Sequence, residues 1–159
     1  MTEDLVIERI SESNFDDFIF LVNKLAEYEK LEPPEESAVE RLKADGLSAE
    51  PRYEAYVGKL GGKSIGYIIY FFNYSSFLAL PTLYLEDIFV LQEYRRRGFG
   101  TRMFQFTVEQ ARERGCGRIE FCVLTWNEPA IKFYEKNNTK RLDWYFYRMD
   151  RAEIEEFNR

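Results

Sequence analysis

Two spacings of apolar residues alternate along this chain, one of period two and one of period three to four. Leu5 to Ile10 alternates, which predicts a first strand. Phe15, Phe18, Val22 and Leu25 then recur at helical spacing, so a helix is expected from a Ser13/Asp16 capping box to about Lys30. Glu29 stands four places after Leu25 and ends that apolar stripe in an acid that points inward. Pro33 and Pro34 close the helix, and Glu35 to Leu47 reads as a second helix with a polar face. Tyr53 to Leu60 and Ser64 to Tyr74 read as strands joined by a Gly61-Gly62 hairpin turn. Ser75 to Pro81 is expected to be an apolar loop, and Leu83 to Leu91 a strongly apolar, central strand. A helix follows from Phe99 to near Gly115, then a strand from Arg118 to Thr125 and a short helix from Pro129 to Lys136, with its proline in the first turn. One or two last strands are expected between Lys140 and Met149, broken near Asp143, with a polar helical or frayed tail from Arg151 to Arg159.

Helices lie between strands, but the order also contains a hairpin, and there is no internal repeat, low-complexity tract or linker. The natural solution is an α/β (α+β) fold: one mixed sheet with helices on both faces, in a single domain spanning 1–159. The 159 residues, 45% hydrophobic and 17% aromatic, can bury a true core without disulfides or metals. The aromatics Trp144, Tyr145, Phe146 and Tyr147, and the loop Phe77 to Pro81, read most simply as part of that core, with an interface as the alternative.

Charge and composition remove several functions. The net charge of −6 disfavours nucleic acid as a partner and favours cationic substrates. The acidic start, Met1 to Asp4, lacks the apolar stretch of a secretory leader, and no run approaches membrane-spanning length, so a cytoplasmic protein with no membrane partner is expected. Cys116 and Cys122 have no CxxC spacing and read as packed or half-exposed thiols, with a single structural disulfide as the alternative. Histidine is absent, so no Ser-His-Asp triad, Cys-His pair or histidine metal site can form, and no metal is expected. Catalysis is left to carboxylates, tyrosine, lysine, thiol or backbone groups.

Within that acidic chain, Arg95-Arg96-Arg97-Gly98-Phe99-Gly100 stands out. It joins the most apolar strand to an amphipathic helix, a layout in which glycine lets backbone N–H groups converge and the helix N-terminus adds partial positive charge. A phosphate-bearing cofactor is the expectation, although the run lacks both the Lys-Ser/Thr of a nucleotide P-loop and the third glycine of a dinucleotide fingerprint, where Met103 stands. Glu86 and Asp87 interrupt the apolar strand; as neighbours on a strand they should serve different environments. A carboxylate inside a sheet is costly unless paired or hydrated, so these two read either as strand-end acids bonded to a loop or as a cation site.

The pattern Arg95-x-x-Gly98-x-Gly100 resembles the acetyl-CoA pyrophosphate signature of the GNAT N-acetyltransferase superfamily. The resemblance extends to the diamine (spermidine/spermine) and thialysine acetyltransferase subgroup: Tyr84 to Val90 is similar to its central strand, Trp126-Asn127-Glu128-Pro129-Ala130-Ile131-Lys132-Phe133-Tyr134 to its Trp-Asn-Glu-Pro segment, and Leu25 to Glu29 to its first helix. It spans nearly the whole chain in the same order. It implies the GNAT (acyl-CoA N-acyltransferase) fold, a central mixed, mostly antiparallel sheet flanked by helices on both faces. It further implies transfer of acetyl from acetyl-CoA to a small primary amine by direct attack in a ternary complex.

The same resemblance implies roles. Acetyl-CoA would lie along Ile88, Phe89 and Val90, with its pyrophosphate on Arg95, Arg96, Arg97, Gly98, Phe99, Gly100 and Thr101, and with Asn127, Pro129, Ala130 and Tyr134 also on the cofactor. Tyr134 would be the general acid for the departing thiolate; on its residues alone it is equally a core tyrosine with a bonded hydroxyl. Glu86 would bind the cationic amine and relay its proton through water, with Tyr28, Glu29 and Asp87 completing the amine site. Glu29 alone could equally be a solvated helix end. Leu142 stands where the subgroup carries a further acid, which points away from long polyamines and toward thialysine, lysine-like or short diamine substrates. Asn137-Asn138-Thr139 replaces a usual glycine, and Asn can still supply a left-handed helix cap. Relatives in the subgroup imply a homodimer. The rival readings are a protein N-terminal or lysine acetyltransferase and, in a different class, a non-catalytic acyl-CoA sensor.

Overall fold

A computed structural model describes residues 4–157. The chain divides into two compact units, the first ending at Cys122 and the second beginning at Val123. The first unit contains β1 (Val6–Arg9), α1 (Phe15–Glu29), α2 (Glu36–Gly46), β2 (Glu54–Leu60), β3 (Lys63–Ser75), β4 (Leu80–Val90), a 3-10 turn at Gln92–Tyr94, α3 (Phe99–Glu113) and β5 (Arg118–Glu120). The five strands form one sheet in sequence order, antiparallel except for the parallel β4/β5 pair.

The period-two pattern of β2 and β3 sends alternate residues to opposite faces, and each face receives a helix. On one face, Phe15, Phe18 and Leu21 of α1 pack over Ala55, Val57, Tyr67, Ile69 and Phe89. Phe18 and Tyr67 are fully buried and meet edge to face at 5.4 Å. Burial of side chains this large contributes roughly 1.5–3 kcal/mol apiece. On the other face lies α3: Tyr56 meets Phe106 at 4.7 Å, and Met103 sits against Gly58 and Gly66. A Cβ at Gly66 would collide with the Phe89 carbonyl, so this position holds β3 and β4 together only as glycine.

The structure corrects several sequence expectations. The Ser13/Asp16 capping box does not form; Asn14 is the N-cap of α1, and its side chain instead ties the loop, accepting from Ser11 N at 2.8 Å and donating to Arg9 O at 3.0 Å. The expected loop from Ser75 to Pro81 is a tighter hairpin, with Ser75 already opposite Leu80 and Tyr74 opposite Pro81. The middle of the sheet is β3, with β4 one place further out. The strand expected to reach Thr125 stops at Glu120, and parallel pairing with β4 covers only Thr82 to Tyr84.

In the second unit, α4 spans Glu128–Lys136 and α5 spans Arg151–Glu156. Asn138 is left-handed (φ +60°) and Thr139 N donates to Tyr134 O, so the asparagine cap expected after α4 is present. The strands expected between Lys140 and Met149 are absent. Strand-forming side chains make a strand only where a ladder partner exists, and among the described residues none pairs with 140–149. Trp144, Tyr145, Phe146 and Tyr147 are 70–89% exposed and Phe77 is fully exposed, against the core reading of both segments. The predicted tail helix forms over Arg151–Glu156, under a capping box made by Asp150 and Glu153.

Candidate active site

The link from β4 to α3 is built from backbone geometry. Arg96 (φ +60°) and Gly98 (φ +84°) are both left-handed. Alternation of left- and right-handed residues turns successive N–H groups toward one concavity. An arginine in that region is strained by about 1–2 kcal/mol, a feature that persists where the backbone shape is itself used. Gly98 is the N-cap of α3 and supplies no side-chain cap, so the first-turn N–H groups of Phe99, Gly100 and Thr101 are left for an outside acceptor. A Cβ at Gly98 would meet nothing, so the turn opens outward. Unengaged amides, a helix N-terminus and adjoining arginines are the donor set that suits a diphosphate.

The three arginines differ. Arg95 donates from Nε to Val90 O at 2.8 Å, while its guanidinium lies 4.6 Å from the Tyr28 ring centre and 5.4 Å from that of Phe89. It therefore ties the turn to the end of α1 as well as to β4. Arg97 stacks on Phe99 at 5.1 Å and on Tyr94 at 5.7 Å. Arg96 is exposed.

Beyond Tyr84, no strand among the described residues pairs with the outer side of β4, so Leu85 to Val90, including Ile88 and Phe89, present an unpaired sheet edge. Along the inner side, Ile69 faces Asp87 while Tyr70 faces Leu85. Glu86 is thus the extra residue of a β-bulge, a feature that bends a strand and re-aims its side chains. Glu86 and Asp87 do serve different environments, as expected, but the bulge adds to simple alternation: Glu86 is exposed, while Asp87 is half-buried on the α1 face.

Three acids gather there. Burial raises the Asp87 carboxyl to about 6; a hydrogen bond from Tyr67 draws it down, and the charges of Glu86 and Glu29 push it up. Burial also raises Glu29, in the last turn of α1. Tyr67 Oη donates to Asp87 Oδ2 at 3.0 Å, and burial followed by the Asp87 charge pushes its own pKa well up. Among the described residues no lysine or arginine lies within ion-pair range of Asp87. A helix C-terminus carries partial negative charge, so α1 ends in a field that favours a cation.

The remaining sequence-derived residues belong to the second unit. Asn127 is buried and caps α4, accepting from Ala130 N at 3.4 Å; Pro129 occupies the first turn and Ala130 follows it. Tyr134 is half-buried on α4, its ring 5.2 Å from that of Phe133. Among the described residues no group of three metal-ligating side chains occurs, and no helix is long and apolar enough to cross a membrane. Both cysteines are free thiols.

Tyr67 was not singled out by sequence. Its signal was available: a tyrosine on the inward side of a strand, whose hydroxyl must find a partner once buried. The bulge at Glu86 carries no glycine or proline and has no comparable signal.

A mixed sheet whose β4 edge is open among the described residues, followed by an amide turn at a helix N-terminus, is an arrangement that suits an extended, diphosphate-bearing ligand. The model of the acetyltransferase (GNAT) family matches residues 14–138, and the chain belongs to that family. It is 31% identical over 158 residues to the thialysine N-epsilon-acetyltransferase of Bos taurus, covering 92% of each chain. It is 27% identical to the human spermidine/spermine N(1)-acetyltransferase-like protein 1, over 84% of this chain and 21% of that one. The aminoglycoside N-acetyltransferase AAC(6')-Iy, solved with CoA, shares the fold at a TM-score of 0.78 and 17% identity, with 95% of this chain and 97% of that chain covered.

Proposed function

We propose that this protein is an acetyl-CoA-dependent N-acetyltransferase for a small primary amine, of the thialysine, lysine-like or short-diamine type. The observation that carries the reading is the acid group Glu29, Glu86 and Asp87, set at the end of α1 and on the strand that leads into the amide turn, with no ion-paired cation for Asp87 among the described residues. The likeness to thialysine and spermidine/spermine-type enzymes supports the same substrate class.

Acetyl-CoA would supply the activated acyl group. The amides from Arg96 to Thr101 would hold its diphosphate, and the open edge from Ile88 to Val90 would offer ladder hydrogen bonds to its amide-containing arm. The amine arrives as an ammonium ion with an ordinary pKa near ~10.4 and must lose a proton before it can attack. Tyr28, Glu29 and Asp87 orient the cation; Glu86, exposed on its bulge, accepts the proton through water. Tyr134 is assigned as the general acid on its motif, with Asn127, Pro129 and Ala130 on the cofactor side. Arg95 acts from its place between Tyr28 and Val90, aligning the amine end of α1 with the cradle.

We also read the protein as a cytoplasmic homodimer with no nucleic-acid or membrane partner. The exposed aromatics from Trp144 to Tyr147 support a second protein surface, since contiguous apolar patches mark interaction sites.

Thiol release from acetyl-CoA, measured against putrescine, spermidine, spermine, lysine, thialysine and a peptide, tests the reading. Turnover is expected with thialysine, lysine or a short diamine, and Tyr134→Phe should lower kcat by about 100-fold with the acetyl-CoA KM little changed. Turnover on the peptide alone would favour a protein acetyltransferase. Tight acetyl-CoA binding with no turnover on any amine would make the protein a sensor.

A further inference from the structure

We propose that Tyr67 is a positioning residue of the amine site, its hydroxyl fixing the Asp87 carboxylate by one oxygen and reserving the other for the incoming ammonium group. The inference rests on the small-amine reading above and deepens it.

The geometry is one-sided. Asp87 Oδ2 accepts from Tyr67 Oη at 3.0 Å, whereas Oδ1 accepts no hydrogen bond among the described residues. Tyr67 cannot move to follow a substrate. Its ring is wholly buried between Phe18 of α1, at 5.4 Å, and Phe89 of β4, at 6.2 Å. In register it faces Phe89, one diagonal step from Asp87 on the same side of the sheet. A hydroxyl held by the core and donating to one carboxylate oxygen sets the plane of the other, which is what a directional ammonium contact needs.

The groups around Asp87 fix the sign of the effect. Tyr67 faces it from β3, Glu29 from α1 and Glu86 from its own strand; the Arg95 guanidinium stacks on Phe89, two residues along. The acids and burial favour the protonated carboxyl, and the Tyr67 bond alone among these favours the charged one. Removing the hydroxyl therefore moves the Asp87 titration upward, from about 6 toward neutral pH.

Tyr67→Phe, which keeps the ring and its packing, tests this alongside Tyr70→Phe, the other buried tyrosine that donates to an acid, on the opposite face. In Tyr67→Phe the amine KM is expected to rise by about five- to tenfold near pH 6.5 and to recover toward pH 8, with the acetyl-CoA KM unchanged and the acidic limb of kcat/KM moved to higher pH. Tyr70→Phe should show neither change. A second readout needs no substrate: the Asp87 carboxyl carbon, followed by NMR against pH, should titrate higher in Tyr67→Phe than in wild type. An unmoved titration overturns the proposal, as does an equal displacement in Tyr70→Phe. Because the carboxyl titrates whether or not any amine is turned over, a failed amine panel and a failed role for Tyr67 are distinguishable.

Discussion

Two buried tyrosines three residues apart on β3, Tyr67 and Tyr70, each donate to an acid, and the pKa values of the two acids are shifted in opposite directions. On the α3 face, Glu54 lies directly across the ladder from Tyr70 and is 9% exposed. It accepts from Tyr70 at 3.0 Å, from Tyr56 at 3.2 Å and from Arg114 Nη2 at 2.8 and 3.1 Å. Burial alone would raise its carboxyl, but the bonds from Tyr70 and Arg114 and the Arg114 charge outweigh it, leaving the pKa below the ordinary value. On the α1 face, Asp87 has the tyrosine but no ion-paired cation among the described residues, and two further acids for neighbours, so burial wins and the pKa rises to about 6. A buried carboxylate whose counter-charge is built into the fold is structural. One whose counter-charge is missing is poised for a cation from outside.

Replacing each acid by its amide should separate the two most widely. Asp87→Asn is expected to lower kcat/KM for the amine by about 100-fold while leaving the acetyl-CoA KM near wild type. An acetyl-CoA effect of equal size would make Asp87 part of the cradle. Glu54→Gln should leave both kinetic constants unchanged and lower stability by about 1–3 kcal/mol, read by denaturant unfolding at pH 7, because the Arg114 and Tyr70 donors lose a charged acceptor. A smaller effect comes from Arg114→Met, which moves Glu54 toward the state of Asp87. Arg114 is nearly half exposed, so its loss should cost below about 1 kcal/mol at pH 7, but the acid-induced loss of stability should begin at higher pH. An unchanged acid limb would mean that Tyr70 and Tyr56 hold Glu54 ionised by themselves.

Much of this was legible in the chain. The turn from Arg95 to Gly100 was legible as a backbone turn into a helix, and Gly98 is left-handed there, with Arg96 beside it also left-handed. Glu29 was legible because helical spacing carried it onto the buried stripe of Phe15, Phe18, Val22 and Leu25. The difference between Glu54 and Asp87 was not. It depends on Arg114, sixty residues from Glu54 in sequence, and on a bulge at Glu86 that no turn residue marks. The segment from Lys140 to Met149 misled for the converse reason: its side chains favour strands, but pairing is a property of a neighbour the local sequence does not contain.

The comparison also fixes the direction in which stability changes with pH. Asp87 has a folded pKa above its unfolded one, so its contribution is complete below about pH 4 and is lost as pH rises through about 6. A shift of about two units is worth up to ~3 kcal/mol. Glu54 has a folded pKa below its unfolded one, so its contribution is present above the ordinary carboxylate range and is lost as pH falls. Melting temperatures of wild type, Asp87→Asn and Glu54→Gln across pH 4 to 8, with no ligand added, put the two side by side. Asp87→Asn should gain on wild type as pH rises and Glu54→Gln should lose. If Asp87→Asn instead loses stability at pH 8 as Glu54→Gln does, Asp87 already has its counter-charge within the fold and is not waiting for an amine.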